Sequence, residues 1–111
     1  MDEFRQVQEW EARAKQAQAK AAQAYLRLVE IAERQDTGQA RRVAKFIAST
    51  FNGAAHPFDL FELRTLDVAL ADDAIACIDA LRWGKADLHK LLPDGEHRIA
   101  VILKDWGFDA D

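Results

Sequence analysis

The chain has 111 residues, half of them apolar, and is sparing in Pro and Gly. That suffices for one modest core and does not fit a disordered composition. A formal net charge of −4 argues against a general binder of nucleic acid or acidic membrane. Cys77 stands alone, so no intrachain disulfide can form. There is no run of about 18 apolar residues and no basic-then-apolar amino terminus, so a soluble cytoplasmic protein is expected.

Charge is distributed unevenly. Residues 1–34 balance six acids against six bases, whereas residues 54–111 hold twelve acids against six bases. Between them, Arg41, Arg42 and Lys45 face only Asp36. A small basic patch therefore meets a broadly acidic body.

Residues 3–34 lack Pro and Gly and are rich in Ala, Gln, Glu, Arg and Lys, which predicts one long helix. Phe4, Val7, Ala14, Ala21, Tyr25 and Leu28 recur at heptad-like spacing. The seam is thin, because most of it is Ala and Glu11 and Gln18 interrupt it. Two outcomes follow. The helix docks through its richer end, Tyr25 to Ile31, and its first part projects; or it pairs with a second copy, with Trp10 helping to bury the seam. Self-association through Phe4, Val7, Trp10, Ala14, Ala21, Tyr25 and Leu28 is the preferred expectation. Residues 1–34 are accordingly read as an arm and residues 35–107 as a globular domain that stays folded without residues 1–30.

Asp36 and Gln39 have capping-box spacing, with Gly38 easing the connection. Ala40, Val43, Ala44, Ile47 and Phe51 then form one apolar stripe, and Asn52-Gly53 ends that helix. The stretch His56-Pro57-Phe58-Asp59-Leu60-Phe61-Glu62-Leu63 carries the densest local grammar. Asp59 reads as an N-cap, Glu62 as its capping-box partner, and Phe58 with Leu63 as a hydrophobic staple. This is read as a structural corner of Phe58, Asp59, Glu62 and Leu63, with the competing view that His56, Asp59 and Glu62 line a site. Asp67 opens a further helix to about Trp83, with Ile75, Ile78 and Leu81 expected inside and Gly84 as its stop. Asp87 caps a short turn through Leu88, Leu91 and Leu92. After Asp94-Gly95, Ile99, Ile102, Leu103 and Trp106 predict a last helix rather than an isolated strand. Residues 108–111 are expected to be a loose tail. The core is expected from Val43, Ile47, Phe51, Phe58, Leu63, Leu66, Ile75, Ile78, Leu81, Ile99, Leu103 and Trp106. The fold class is all-α: a small orthogonal domain of five or six helices with a long first helix.

The chemistry is sparse. His56, His89 and His97 are the only imidazoles, and no Cys cluster or His-Glu-x-x-His pattern accompanies them. Cys77 lies in an apolar helical pattern, which predicts a buried, inert thiol. The glycines sit singly, with no phosphate-cradling loop. No catalytic residue, cofactor or metal is expected. Arg34, Arg41, Arg42 and Lys45 are the candidate contacts for nucleic acid or a protein partner. A recognition helix at 59–66 is disfavoured, because Asp59 and Glu62 would be repelled by phosphates.

The runs Gly38–Ile47, Phe51-Asn52-Gly53, Pro57-Phe58-Asp59-Leu60 and Leu63-Arg64-Thr65-Leu66-Asp67 resemble a family of small uncharacterised bacterial proteins, often found near phage- or plasmid-derived genes. The resemblance covers about residues 33–107. It implies a domain of unknown function and tilts the reading towards a mobile-element accessory role. The resulting expectation is a non-enzymatic interaction module that binds itself as a homodimer, or another protein. The alternative is a nucleic-acid-associated protein using the basic face of the second helix.

Overall fold

The computed structural model describes residues 2–108. Four α-helices are present among them: α1 (Asp2–Arg34), α2 (Gly38–Phe51), α3 (Val68–Trp83) and α4 (Gly95–Asp105). Two 3-10 helices, Leu60–Thr65 and Leu88–Leu91, join α2 to α3 and α3 to α4. No strand occurs among the described residues. The all-α expectation with a long first helix therefore holds.

Helix α1 is uninterrupted for 33 residues. At 1.5 Å per residue it is about 50 Å long, which matches the 53 Å long axis of the molecule. Helix α3 lies antiparallel along it. Arg27 pairs with Asp73 near the start of α3, and Lys85, just past its end, reaches Glu11. The contact between them is built from small residues: Ala14, Ala17, Ala21 and Ala24 on α1, and Ala74, Ala76, Cys77 and Ala80 on α3, all buried. Small side chains let two helix backbones approach closely and gain dispersion contacts that one Ala alone cannot supply. Helices α2 and α4 close the other side, where Tyr25, Leu28, Val43, Ile47, Ile99 and Ile102 form the bulky part of the core.

This packing joins the expected arm to the expected globular domain. Ala21 to Ala32 of α1 belong to the same core cluster as α2, α3 and α4. Residues 36–107 therefore lack a wall of their core without α1. It also corrects the face of α3. Ile75, Ile78 and Leu81, expected inside, are 53%, 36% and 41% exposed. The Ala/Cys face is the one that can sit close against the Ala stripe of α1, so the bulkier aliphatic face turns outward.

Local signals were right about where elements stop and less so about how they start. Gly84 and Gly107 adopt the left-handed conformation that ends α3 and α4. A side chain at Gly95 would run into the His89 carbonyl, so the second 3-10 helix and α4 can pack only with Gly there. The cap of α2, however, is Thr37, whose hydroxyl accepts from the Ala40 N–H at 3.0 Å, and not Asp36. The segment after Asp59 is 3-10 rather than α. Asp59 does cap it, accepting from the Phe61 N–H at 2.9 Å. Glu62 does not complete a capping box, because Lys45 draws its carboxylate across to α2. Phe58 is half-buried, edge-on to Phe46 at 5.4 Å. Phe51, Leu63 and Trp106 are half-buried too, packed against the core rather than inside it.

The expected loose tail is also revised. Phe108 is half-buried, donates its N–H to the Leu103 carbonyl at 2.8 Å, and lies under the Arg41 guanidinium. The remainder of that tail, 109–111, lies outside the described residues.

Candidate functional site

Helix α2, the Asp59 corner and Phe108 enclose a cavity of about 240 Å³ lined by Lys45, Ala48, His56, Pro57, Asp59 and Glu62. The structure thus brings together His56, Asp59 and Glu62. Each polar group except His56 has a structural bond. Asp59 caps the 3-10 helix, and Lys45 and Glu62 pair at 3.3 Å. The space is below the few hundred Å³ typical of small-molecule sites. Lys45 and Glu62 pair with each other there, and the Asp59 carboxylate is committed to its cap.

Gln39 organises the far side of this corner. Its side-chain N–H donates to the Thr65 carbonyl at 2.7 Å, and its oxygen accepts from the Asp67 N–H at 2.9 Å. One amide therefore satisfies two backbone groups where the chain turns into α3. Sequence reasoning assigned Gln39 to a cap. Its true partners are 26 and 28 residues away, beyond any local spacing rule.

The basic candidates do not form one patch. Arg34 pairs with Glu30 at 3.3 Å, Lys45 with Glu62, and the Arg41 guanidinium stacks 5.2 Å from the Phe108 ring centre. Arg42 is half-buried. A second cavity, about 220 Å³, lies between α1 and α3 and is lined by Arg13, Lys20, Asp79, Arg82 and Trp83 among others. There Asp79 holds Arg82 at 2.6 Å, and Arg13 and Arg82 lie over the Trp83 ring.

Buried groups that could do chemistry are quenched. Cys77 is fully buried, and burial is the main cause of its thiol being pushed up to about 12, so it stays protonated at neutral pH. Burial likewise raises the Tyr25 phenol, partly opposed by its 2.8 Å hydrogen bond to Thr50. His89 sits edge-on to Phe51 at 5.1 Å. Among the described residues, no three His, Cys, Asp or Glu side chains are placed to share a metal ion. No described helix is long and apolar enough to cross a membrane.

The self-association seam is divided. Ala14, Ala21, Tyr25 and Leu28 are buried within the chain and cannot meet a second copy. Phe4, Val7 and Trp10 are 67%, 51% and 47% exposed. They continue the buried stripe of α1 at steps of three and four residues, beyond the last turn of α3. The reason is length. Helix α3 ends at Trp83, level with Arg13, and the loop after it reaches only Glu11. A further apolar surface lies at the opposite end, where Leu60, Phe61 and Val68 are 68%, 72% and 77% exposed.

Residues 22–107 match a family of unknown function, DUF7673. The chain belongs to this family. The DUF7673 match begins inside α1 and takes in Ala24, Tyr25, Leu28, Val29 and Ala32 of the core, but not the buried Ala14, Ala17 and Ala21. This extends the resemblance read from residues 33–107 by about a third of α1. Phe4, Val7 and Trp10 precede the matched region. No curated protein and no solved structure matches the chain.

Proposed function

We propose that this DUF7673 chain is a non-enzymatic interaction module that associates with itself. The observation that carries this reading is the apolar stripe of α1, which runs three turns past the body with Phe4, Val7 and Trp10 about half exposed or more. Isolated exposed apolar residues are common on protein surfaces, but a row in register with a core face is the pattern of an unmet interface. Lys45, Glu62 and Asp59 already serve the fold, and the Cys77 thiol is held protonated, which weighs against catalysis. The nucleic-acid alternative is weakened because Arg34, Arg41 and Lys45 are engaged within the chain. A bacterial cytoplasm and an accessory role beside phage- or plasmid-derived genes complete the proposal. These rest on the family resemblance and on a lone buried cysteine, which suits a reducing compartment.

Sedimentation equilibrium of the full chain from about 0.1 to 100 μM, a range spanning weak interfaces, tests the reading. A mass rising from one to two chains is the expected result. A single-chain mass at every concentration would remove it. If purified chain shifts a DNA or RNA probe at low salt, and replacing Arg41, Arg42 and Lys45 by Gln abolishes the shift, the nucleic-acid alternative takes its place.

A further inference from the structure

We infer that two copies join by laying their α1 amino-terminal arms antiparallel, each arm continuing the other copy's α3. This rests on the self-association reading and specifies its geometry.

Within one chain, α3 runs antiparallel to α1 and covers its apolar stripe as far as Ala14. Beyond that point the stripe goes on through Trp10, Val7 and Phe4 with nothing opposite it among the described residues. A second α1 arriving antiparallel travels in the same direction as the first chain's α3. It therefore takes up the line of α3 where α3 stops. The same operation covers the second arm with the first, so the contact is closed and two-fold, and the surface must match itself. It does, when the axis passes near Val7. Val7 then meets Val7, and Phe4 of each copy meets Trp10 of the other. Aromatic side chains lie at both ends of the pairing and a small aliphatic at its centre.

The same register sets Glu3 of each copy beside Glu11 of the other, a like-charge contact that two cations at this point offset. In this register the incoming arm starts beside the end of α3, so its Asp2 and Glu3 arrive next to Arg13 and Lys85. Both cations are placed there by the fold: Arg13 lies over the Trp83 ring and Lys85 reaches Glu11. A parallel pairing would instead set Asp2 and Glu3 of one copy against the same two acids of the other.

Each arm is about 18 Å long from Asp2 to Arg13. The exposed fractions of Phe4, Val7 and Trp10 leave roughly 300 Å² of apolar surface per chain. That falls short of the roughly 800 Å² per partner of a standard stable interface. The dimer is therefore a weak, transient one, forming and dissociating with concentration.

Cysteine pairing reads the direction. Glu3 and Glu11 lie on the same face as the seam and come side by side only between antiparallel copies. Under mild oxidation, a mixture of Glu3→Cys and Glu11→Cys chains is expected to give a disulfide-linked pair containing one of each, while either variant alone gives little. Cys77, being buried, stays silent. Trp10→Ala should weaken the dimer at least tenfold in the sedimentation series while leaving the circular dichroism of the chain unchanged, because Trp10 supports no intrachain core. Efficient cross-linking of Glu3→Cys with itself would overturn the antiparallel arrangement. A dimer that neither cross-links through these positions nor responds to Trp10→Ala would overturn the arm pairing while self-association stands. A monomer at all concentrations would remove both.

Discussion

The two parts of α1 are alike in periodicity and opposite in circumstance. Both are helical and both carry apolar residues at the same spacing, although the Ala residues are concentrated from Ala14 onward. From Ala14 onward the stripe is covered, with Ala21, Ala24, Tyr25, Leu28 and Val29 essentially inaccessible to solvent. Before it, Phe4, Val7 and Trp10 stand in water. Both sides of the divide are helical; what covers one and not the other is α3. A larger residue is no guarantee of burial: Ala21 is inside and Trp10 is not. Position relative to a neighbour outweighs side-chain hydrophobicity, because transfer free energy is gained only when a partner surface displaces the water.

Truncation breaks this comparison most strongly. Removing residues 1–28 takes away a wall of the core and should abolish the cooperative thermal transition. Removing residues 1–9 should leave that transition within a few degrees of its original midpoint, since a change of under 1 kcal/mol shifts a domain of this size by less than about 8 °C. If the shorter truncation also unfolds the chain, the arm is part of the fold rather than an attachment to it.

Single substitutions sharpen the same contrast. Leu28→Ala should cost about 3 kcal/mol in urea titration, as a fully buried large-to-small change. Val7→Ala, measured at concentrations low enough to keep the chain monomeric, should stay within about 0.5 kcal/mol. Comparable losses at the two positions would mean that the arm packs on its own body.

A smaller effect comes from the ion pair that ties the buried end of α1 to α4. Arg98 grips Glu33 through two hydrogen bonds of 2.8 and 2.9 Å. Those bonds hold the Glu33 carboxyl below its ordinary value. The folded state therefore favours the ionised form. The pair's contribution is present above the unfolded-chain value, about pH 4.3, and is lost as pH falls through the lower folded value. Glu33→Gln should lower stability slightly at pH 7 and flatten the acid limb of a stability–pH curve. An acid limb identical to the parent's would show that the pair adds nothing. At the arm end, Glu11→Gln, which removes the more exposed partner of Lys85, should change stability by less than about 0.5 kcal/mol.

The smallest expected effect is on the outer face of α3. Ile75→Gln should alter stability by no more than about 0.5 kcal/mol, whereas Cys77→Leu, two residues on and on the opposite face, should cost about 1–3 kcal/mol by overpacking the close contact with α1. A reversal of these two would restore the face first read from sequence.

Much of the fold was legible because it is local. The long first helix follows from an unbroken run of helix formers, and the stops at Gly84 and Gly107 follow from the left-handed backbone that Gly adopts readily. Asp59 was readable as a cap because its partner lies two residues away. The corner cavity was legible only in part: His56, Asp59 and Glu62 are neighbours in sequence, but Lys45 reaches it from α2 and Phe108 from the chain beyond α4. The pairing of Glu62 with Lys45, which undid the expected capping box, depends on how α2 crosses that corner. The Gln39 bridge was invisible for the same reason.

By itself, the sequence determined that this protein is helical, where its helices end, and that its first helix carries an apolar stripe from end to end. These are properties of near neighbours along the chain, set by dihedral preference, capping and periodicity. Only the tertiary structure decided which face of α3 turns inward and how far along α1 the stripe is covered. Both depend on the close approach of two helices whose contacting residues lie some 45 to 75 positions apart. Ala and Cys allow that approach and Ile and Leu do not. The aliphatic face of α3 is therefore left outside, and Phe4, Val7 and Trp10 are left beyond its reach.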